Sequence, residues 1–185
     1  MRYLHWTTIL LVIVVMAVTW VGPNWASADS AAEIDRKVKS TLKGLYAKSP
    51  SAKDLGQKAK GILVFPSIIK GGFLVGGQYG EGALLKDGTT AGYYNTVQVS
   101  YGLQAGLQKH GYVLFFMTDS ALKWLDKSDG WELGVGPSIV VVDVGAATSQ
   151  TTTTLQSDIY AFFFNQQGLM GGLGLQGTKI TRINK

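Results

Sequence analysis

Residues 59–85 read AKGILVFPSIIKGGFLVGGQYGEGALL, an apolar run, a proline break at Pro66 and then closely spaced glycines. From position 72 onward the even positions are mostly glycine, whereas the odd positions include Phe73, Val75 and Tyr79. Because successive side chains of a strand point to opposite faces, one face of this segment would be nearly bare backbone. Such a face suits a tightly curved sheet against which another element packs closely.

Helices are predicted on both sides of this segment. Ser30 and Glu33 form a capping-box pattern, and the residues after them carry an apolar stripe at helical spacing. The stripe consists of Ile34, Val38, Leu42, Leu45 and Tyr46. Ser49-Pro50 and Gly61 bound a second short helix. Asp119 is expected to cap a third helix that extends through Lys127, with Leu122 and Leu125 facing inward.

The rest of the chain reads as short strands between Gly, Pro or Thr-rich breaks. Residues 91–108 alternate with a period of two, which indicates one long strand or two strands bent at Gly102 or Gly106. A turn is expected at His110-Gly111. Further strands are predicted at Tyr112–Met117, Trp131–Val135, Ser138–Val144, Asp158–Phe164, Leu169–Leu175 and Lys179–Ile183.

The predicted fold class is therefore α+β. It is a strongly curved or barrel-like antiparallel β-sheet, rich in glycine, with two N-terminal helices and one internal helix packed against it. Parallel βαβ winding is disfavoured because most strand pairs lack a crossover helix between them.

The first residues indicate export. An apolar run from Thr7 to Val21 precedes Ala26-Ser27-Ala28, the A-x-A pattern of a signal peptide. Its uninterrupted core, Ile9–Val18, is short for a membrane-spanning helix. We expect residues 1–28 to be a secretory signal peptide cleaved after Ala28, and residues 29–185 to form a single domain. The signal peptide predicts a periplasmic or secreted protein. Because the chain has no cysteine, we predict that this protein has no disulfides and is not a lipoprotein.

Positive charge is concentrated near the start of the predicted domain. Residues 29–70 carry nine Lys and Arg against four acidic residues, whereas residues 71–185 carry seven against eight. This asymmetry favours an anionic partner surface at the N-terminal helices. The alternative, which can coexist with it, is that the helices pack on the core and expose a solvated cationic face. The predicted lipid-binding residues are Arg36, Lys37, Lys39, Lys43, Lys58, Lys60 and Lys70.

Recognisable catalytic chemistry is not found in the sequence. Residues 172–177 fit the letters G-x-G-x-x-G, but only eight residues follow, too few for a dinucleotide-binding unit. His110 is the one histidine after residue 28, and no G-x-S-x-G elbow accompanies it. Asp143 interrupts an apolar strand and is interpreted as bonding a loop amide, with a ligand or metal contact as the alternative. We predict no enzyme activity, no cofactor, no metal site and no nucleic-acid partner.

The segment IYAFFF, residues 159–164, is apolar on both faces. It is typical of a central strand, the alternative being a strand with one face open to lipid.

Several of these segments together resemble the SYLF domain family, the lipid-binding and actin-regulator type. Residues 59–82 are similar to its opening signature. Later blocks occur in the order of the family, at Gly92–Tyr94, Ser100–Gln108, Phe116–Thr118, Val142–Gly145, Gly168–Leu173 and Gly177–Thr178. The resemblance covers residues 31–183.

The resemblance implies a non-enzymatic domain that binds phospholipid and, in eukaryotic members, actin. Bacterial relatives are often lipoproteins, from which this chain departs. The turn after Phe164 is neutral here, Asn165-Gln166-Gln167, whereas it tends to be basic in eukaryotic relatives.

The predicted function is membrane binding in the cell envelope, in which the basic amphipathic helix contacts anionic phospholipid headgroups. The alternative is a structural envelope protein that binds a protein partner through an exposed strand edge or through strand 91–108.

Overall fold

A computed structural model describes residues 29–72, 75–101, 106–127, 129–142, 157–164 and 177–185. Two helices come first, α1 (Ala31–Lys48) and α2 (Pro50–Lys58), and they are followed by four long strands. These are β1 (Gly61–Gly72), β2 (Val75–Lys86), β3 (Thr89–Tyr101) and β4 (Gly106–Phe116). The remaining elements are α3 (Asp119–Leu122), a 3₁₀ helix (Lys123–Asp126), β5 (Trp131–Glu132), β6 (Ile139–Val142), β7 (Ile159–Phe164) and β8 (Lys179–Ile183).

All eight described strands form one sheet with the order β5-β8-β3-β2-β1-β4-β7-β6. The prediction of an α+β fold with a strongly curved or barrel-like antiparallel sheet is confirmed in its class and its curvature. One pair differs, because β6 runs parallel to β7, with Ile139 opposite Ile159 and Val142 opposite Phe162. The sheet is therefore mixed at this edge.

The sheet is strongly curled. Trp131 of β5 and Phe116 of β4 lie on strands five positions apart in the sheet order. In a flat sheet these strands would be roughly 24 Å apart, at about 4.8 Å per strand. Their ring centroids are only 5.9 Å apart. The curl gives the sheet an inner face, which carries this aromatic contact, and an outer face.

Each face has its own apolar core. On the inner face, α3 and the 3₁₀ helix contribute Leu122 and Leu125 to a cluster with Leu63, Phe65, Ile68, Tyr112, Leu114, Trp131 and Ile180. On the outer face, α1 and α2 cover a second cluster. It includes Ile34, Val38, Leu45, Leu55, Val64, Ala83, Leu85, Val113, Phe115, Tyr160 and Phe162. The two-sided apolarity of β7 is thus explained by a central position, as predicted, and not by lipid.

The glycine face of β2 points inward. Gly76, Gln78, Gly80 and Gly82 are buried on the same side as Leu84, which belongs to the inner core. Tyr79, on the opposite side, is 48% exposed. The sequence predicted that another element packs closely against this face. In the structure, that element is β1.

The sequence predicted a break at Pro66, but the strand continues through this residue. It lies within β1 at a bulge, where the pairing register shifts between Val64 and Ser67 on one side and between Phe65 and Ile68 on the other. A proline lacks the N–H that a regular ladder needs, and a bulge is where that lack is tolerated.

The predicted turn at His110-Gly111 is also wrong. Both residues lie within β4, and His110 is only 4% exposed. A Cβ atom at Gly111 would meet the Phe164 ring, 2.5 Å away, and the Phe65 carbonyl at 2.7 Å. This glycine therefore makes room for an aromatic ring of β7 and does not reverse the chain.

The helix and strand predictions elsewhere need smaller corrections. Thr118, not Asp119, caps α3, because its hydroxyl accepts a hydrogen bond from the Ala121 amide at 3.2 Å. Leu122 and Leu125 face inward as predicted. The period-two segment forms two strands, β3 and β4. β5 stops at Glu132, and Gly134 and Gly136 follow with positive φ angles of 99° and 97°. Asp143, residues 1–28, the predicted strand 169–175 and positions 172–176 of the motif lie outside the described residues.

Candidate functional site

Local sequence signals fix α1 on the outer face of the sheet. The Ser30 hydroxyl accepts a hydrogen bond from the Glu33 amide at 3.2 Å, which caps the first turn as predicted. Ile34, Val38 and Leu45 are buried against the sheet. Because this stripe must face the sheet, the residues on the opposite side of the helix are held toward solvent.

Three of the predicted lipid-binding residues lie together on that solvent side. Arg36, Lys39 and Lys43 are spaced by three and four residues, so they follow one line along α1. All three are exposed, and none forms an ion pair with another residue in the described ranges. We call these three residues the cationic line.

Lys37 is placed differently. Its ammonium contacts Asp29 Oδ2 and Glu33 Oε1, each at 2.8 Å. Hydrogen bonds to Asp29 and then to Glu33 raise the pKa of Lys37 above its ordinary value. These two carboxylates offset the charge of Lys37, which lies beside the cationic line and not on it.

A groove of about 510 Å³ opens next to the cationic line, between α1 and the β2–β3 hairpin. Asp35 and Lys39 line it from the helix, and residues 88–93 line it from the hairpin. The hairpin turns at Asp87-Gly88, both with positive φ (51° and 76°), which suits a tight two-residue connection. The groove thus places the Lys39 ammonium beside a polar loop.

Two hydrogen bonds hold the hairpin against α1. The Thr90 hydroxyl donates to Asp35 Oδ1 at 2.8 Å, and the Tyr93 hydroxyl donates to Asp35 Oδ2 at 3.1 Å. Desolvation, with a further contribution from the Asp35 carboxylate, raises the pKa of the Tyr93 phenol. Asp35 is therefore already engaged by the protein, and Lys39 is the cation that lines the groove.

The remaining predicted lipid-binding residues are dispersed. Lys58 is exposed in the last turn of α2, and Lys60 is exposed just before β1. Lys70 lies at the far end of β1, roughly 30 Å from Lys60 at about 3.3 Å per residue. Arg36, Lys39 and Lys43 lie together on α1, whereas Lys70 lies toward the end of β1 away from Val64, which α1 and α2 cover.

Lys70 is near His110. Burial and, secondarily, the charge of Lys70 lower the pKa of His110 below its ordinary value. In the described part of the chain, His110 Nε2 and Gln78 Oε1 are buried without a hydrogen-bond partner. His110 thus belongs to a buried polar part of the inner face. The sequence did not predict this position, because Gly111 beside it indicated a turn.

Sequence reasoning missed the groove. Its hairpin carries a recognisable signal, because Asp-Gly between two alternating segments is a strong indication of a two-residue turn. The contacts of Asp35 with Thr90 and Tyr93 could not be inferred, since they join positions more than fifty residues apart.

Comparison with known families identifies a match over the second half of the chain. Residues 97–185 match the Ysc84 family model, described as Las17-binding protein actin regulator. This match supports the resemblance to SYLF domains in that region. It begins within β3 and extends through β8, so α1 and the groove precede it. A search of curated proteins found no match.

None of the helices in the described ranges is long and apolar enough to cross a membrane. Within the same ranges, no group of three or more His, Cys, Asp and Glu side chains is arranged to hold a metal ion.

Proposed function

We propose that this protein is a non-enzymatic phospholipid-binding domain of the cell envelope, exported by a signal peptide that is removed after Ala28. Its cationic line, Arg36, Lys39 and Lys43, contacts the headgroups of an anionic membrane surface. The observation that carries the proposal is the exposure of these three cations on one side of a helix whose other side is buried in the outer core.

Electrostatics support a membrane partner. A cation held near an anionic bilayer contributes on the order of 1 kcal/mol, so three cations with no ion pair in the described ranges supply about 3 kcal/mol together. Lys37 adds less because Asp29 and Glu33 offset it. The adjoining groove has room for part of a headgroup beside Lys39.

The family description supports a binding role in general, without naming a lipid. The matched family is described as an actin regulator that binds Las17, which is a property of that family. In this chain, we infer a lipid partner because its positive charge is concentrated in α1 and α2, before the matched region.

Binding to vesicles tests the proposal. We expect Arg36→Gln, Lys39→Gln and Lys43→Gln together to weaken binding to equimolar phosphatidylcholine and phosphatidylglycerol vesicles by about 100-fold, as ~3 kcal/mol requires. Salt should also weaken, without abolishing, binding of the wild-type protein, because the Debye length falls from about 10 Å at 0.1 M to about 3 Å at 1 M. Cosedimentation measures both effects.

The matched control removes the same charge elsewhere. Lys53, Lys86 and Lys123 are exposed on three different elements, and their triple change to Gln should weaken binding far less. If both triple variants bind equally, the cationic line is not the site. If the wild type binds no anionic vesicles, the lipid-binding function is wrong.

One observation favours the protein-partner alternative. β6 is the last of the described strands in the sheet order, and Val140 and Val141 are exposed on it. A sheet edge with apolar side chains can accept a strand from a partner. In that case, β6 substitutions would abolish partner binding, and changes in the cationic line would not.

A further inference from the structure

A row of paired residues crosses the outer face of the sheet beyond the helices. Ile69 of β1 lies opposite Lys109 of β4 and, on its other side, opposite Tyr79 of β2. Tyr79 lies opposite Val97 of β3, and Val97 lies opposite Lys179 of β8. The row therefore reads Lys, Ile, Tyr, Val, Lys across five adjacent strands.

The three middle side chains are open to solvent. Ile69 is 51% exposed, Tyr79 48% and Val97 39%. Val99, two residues farther along β3 on the same face, is 59% exposed and pairs with Gly77, which has no side chain. We call Ile69, Tyr79, Val97 and Val99 the outer strip.

The helices leave the outer strip uncovered. The outer core beneath α1 and α2 includes Val64 of β1, Ala83 and Leu85 of β2, and Val113 of β4. The outer strip occupies the other ends of these strands. Contiguous exposed apolar groups of this kind mark interaction surfaces more often than isolated ones do.

The chemistry at the two ends of the strip indicates the partner. Lys109 and Lys179 are both exposed, and their apolar stems can lie along a surface while their ammonium groups reach phosphates. The Tyr79 hydroxyl donates to Glu81 Oε1 at 2.7 Å, and the residue is about half exposed. A tyrosine has an apolar ring and a polar hydroxyl, a combination that suits a membrane interface. Glu132, at the sheet edge beyond Lys179, is the acidic group of this row.

We propose that the outer strip is a second membrane-contacting surface, which inserts its apolar side chains into the interface of an anionic bilayer while Lys109 and Lys179 contact lipid phosphates. This inference rests on the proposed function and adds an apolar contact to the electrostatic one. A second copy of the chain fits less well. Two strips related by a twofold axis would bring Lys109 of one against Lys179 of the other.

The two surfaces differ in their dependence on salt. Contacts of the cationic line weaken as ionic strength rises, whereas insertion of apolar side chains persists. Ile69→Thr, Val97→Thr and Val99→Thr together keep β-branched side chains on the strands and remove apolar surface. We expect this variant to bind the equimolar phosphatidylcholine and phosphatidylglycerol vesicles at least ~10-fold more weakly at about 1 M salt.

Exposed valines elsewhere provide the control. Val135, Val140 and Val141 are 53%, 37% and 54% exposed, close to the values in the strip. Their triple change to Thr should leave binding at high salt unchanged. Loss of binding in both variants would show that general surface hydrophobicity is responsible and would overturn the inference.

A second measurement does not depend on removing the strip. Because the chain has no cysteine, Val99→Cys and Val141→Cys each provide a single labelling site. An environment-sensitive dye at position 99, but not at position 141, should shift its emission to the blue when the anionic vesicles are added.

The outcomes separate the two proposals. A wild-type protein that binds no vesicles contradicts the proposed function. Binding that persists in the strip variant at high salt, with no shift at position 99, leaves that function intact and contradicts this inference. A wild type that dimerises in sedimentation velocity, with a monomeric strip variant, makes the strip an interface between copies instead.

Discussion

At Gly80, the absence of a side chain allows β1 and β2 to approach each other on the concave side of the sheet. A Cβ atom there would lie 2.7 Å from Ile68 Cγ1 and 2.8 Å from the Ser67 carbonyl oxygen. The second contact is with backbone, which cannot rotate away as a side chain can. The bulge at Pro66 brings this backbone close, so the proline and the glycine act together.

We therefore expect Gly80→Ala to destabilise the protein by about 1–3 kcal/mol, through overpacking against β1. Gly77 is the matched control on the same strand, because its Cβ would meet no described atom closer than the Gln98 carbonyl oxygen, at 3.8 Å. Gly77→Ala should leave the free energy of unfolding unchanged or slightly raised, since alanine costs less chain entropy. Urea denaturation compares the two, and equal stability would contradict the steric explanation.

The glycine pattern predicted the bare face and its use, but not the neighbour that fills it. Alternation along one strand follows from backbone geometry, so it can be read from the sequence. The identity of the neighbour depends on pairing register, and a one-residue shift exchanges the two faces. Gly111 was misinterpreted for the same reason, since its partner Phe164 is far along the chain.

Among the elements, β6 is joined to β7 by a compact polar contact at the start of both strands. The Ser138 amide and hydroxyl donate to Asp158 Oδ2, at 3.1 and 3.0 Å. The Asp158 amide donates in return to Ser138 Oγ at 2.9 Å. The Thr118 hydroxyl adds a weaker bond to Asp158 Oδ1 at 3.3 Å. This arrangement aligns two parallel strands in register.

These bonds make the contact sensitive to acid. Hydrogen bonds from the Ser138 amide, and then from its hydroxyl, lower the pKa of Asp158 below its ordinary value of 3.8. A carboxyl whose pKa is lower in the folded state stabilises the fold above its ordinary pKa, and this contribution is lost as pH falls through the folded-state value.

We expect Asp158→Asn to lower Tm at neutral pH, and the gap from wild type to close below about pH 4. Thermal unfolding followed by circular dichroism from neutral to acidic pH measures this gap. Asp54→Asn, a change of one exposed carboxylate in α2, is the control for net charge. A gap for Asp158→Asn that stays constant through the acid range would show that its ionisation does not matter.

The helices were more predictable than the parallel pair. The Ser30 cap and the apolar stripe of α1 are local signals contained within a few turns. By contrast, β6 and β7 are separated by residues 143–158, and a strand-like run does not reveal the direction of its neighbour. The parallel arrangement therefore had no signal in the sequence.

At the scale of the whole molecule, cleavage after Ala28 would make Asp29 the first residue of the protein. Asp29 is bound from two sides, because Lys37 contacts its carboxylate and Lys185 Nζ donates to its carbonyl oxygen at 2.9 Å. A chain that begins at Asp29 therefore keeps both contacts of this residue.

We expect the protein recovered from cells to begin at Asp29, because A-x-A patterns are cleaved after the second small residue. Ala28→Arg should block cleavage, whereas Ser27→Arg, at the tolerant middle position, should not. N-terminal sequencing and intact mass distinguish the products. An unprocessed Met1 terminus in the wild-type protein would contradict the export proposal.

The charge asymmetry could be predicted by counting residues in the sequence. The outer strip could not be predicted in this way. Most of the excess positive charge lies in residues 29–70 of the sequence, and this holds for any fold. The strip requires side chains from β1, β2 and β3 to fall in one row and the helices to stop short of them. Both conditions depend on long-range pairing and curl.

The position of β8 also constrains how the protein folds. This strand comes last among the described elements, yet it lies between β3 and β5 and pairs with both. Pairs so distant along the chain form slowly, because a long loop must close first. During synthesis, the edges of β3 and β5 that pair with β8 therefore have no partner until residues 179–183 have been made. The sheet is completed only then. On this side the sheet therefore stays open until its last strand is available, whereas the pairs of β1 with β2 and of β2 with β3 need only neighbouring strands.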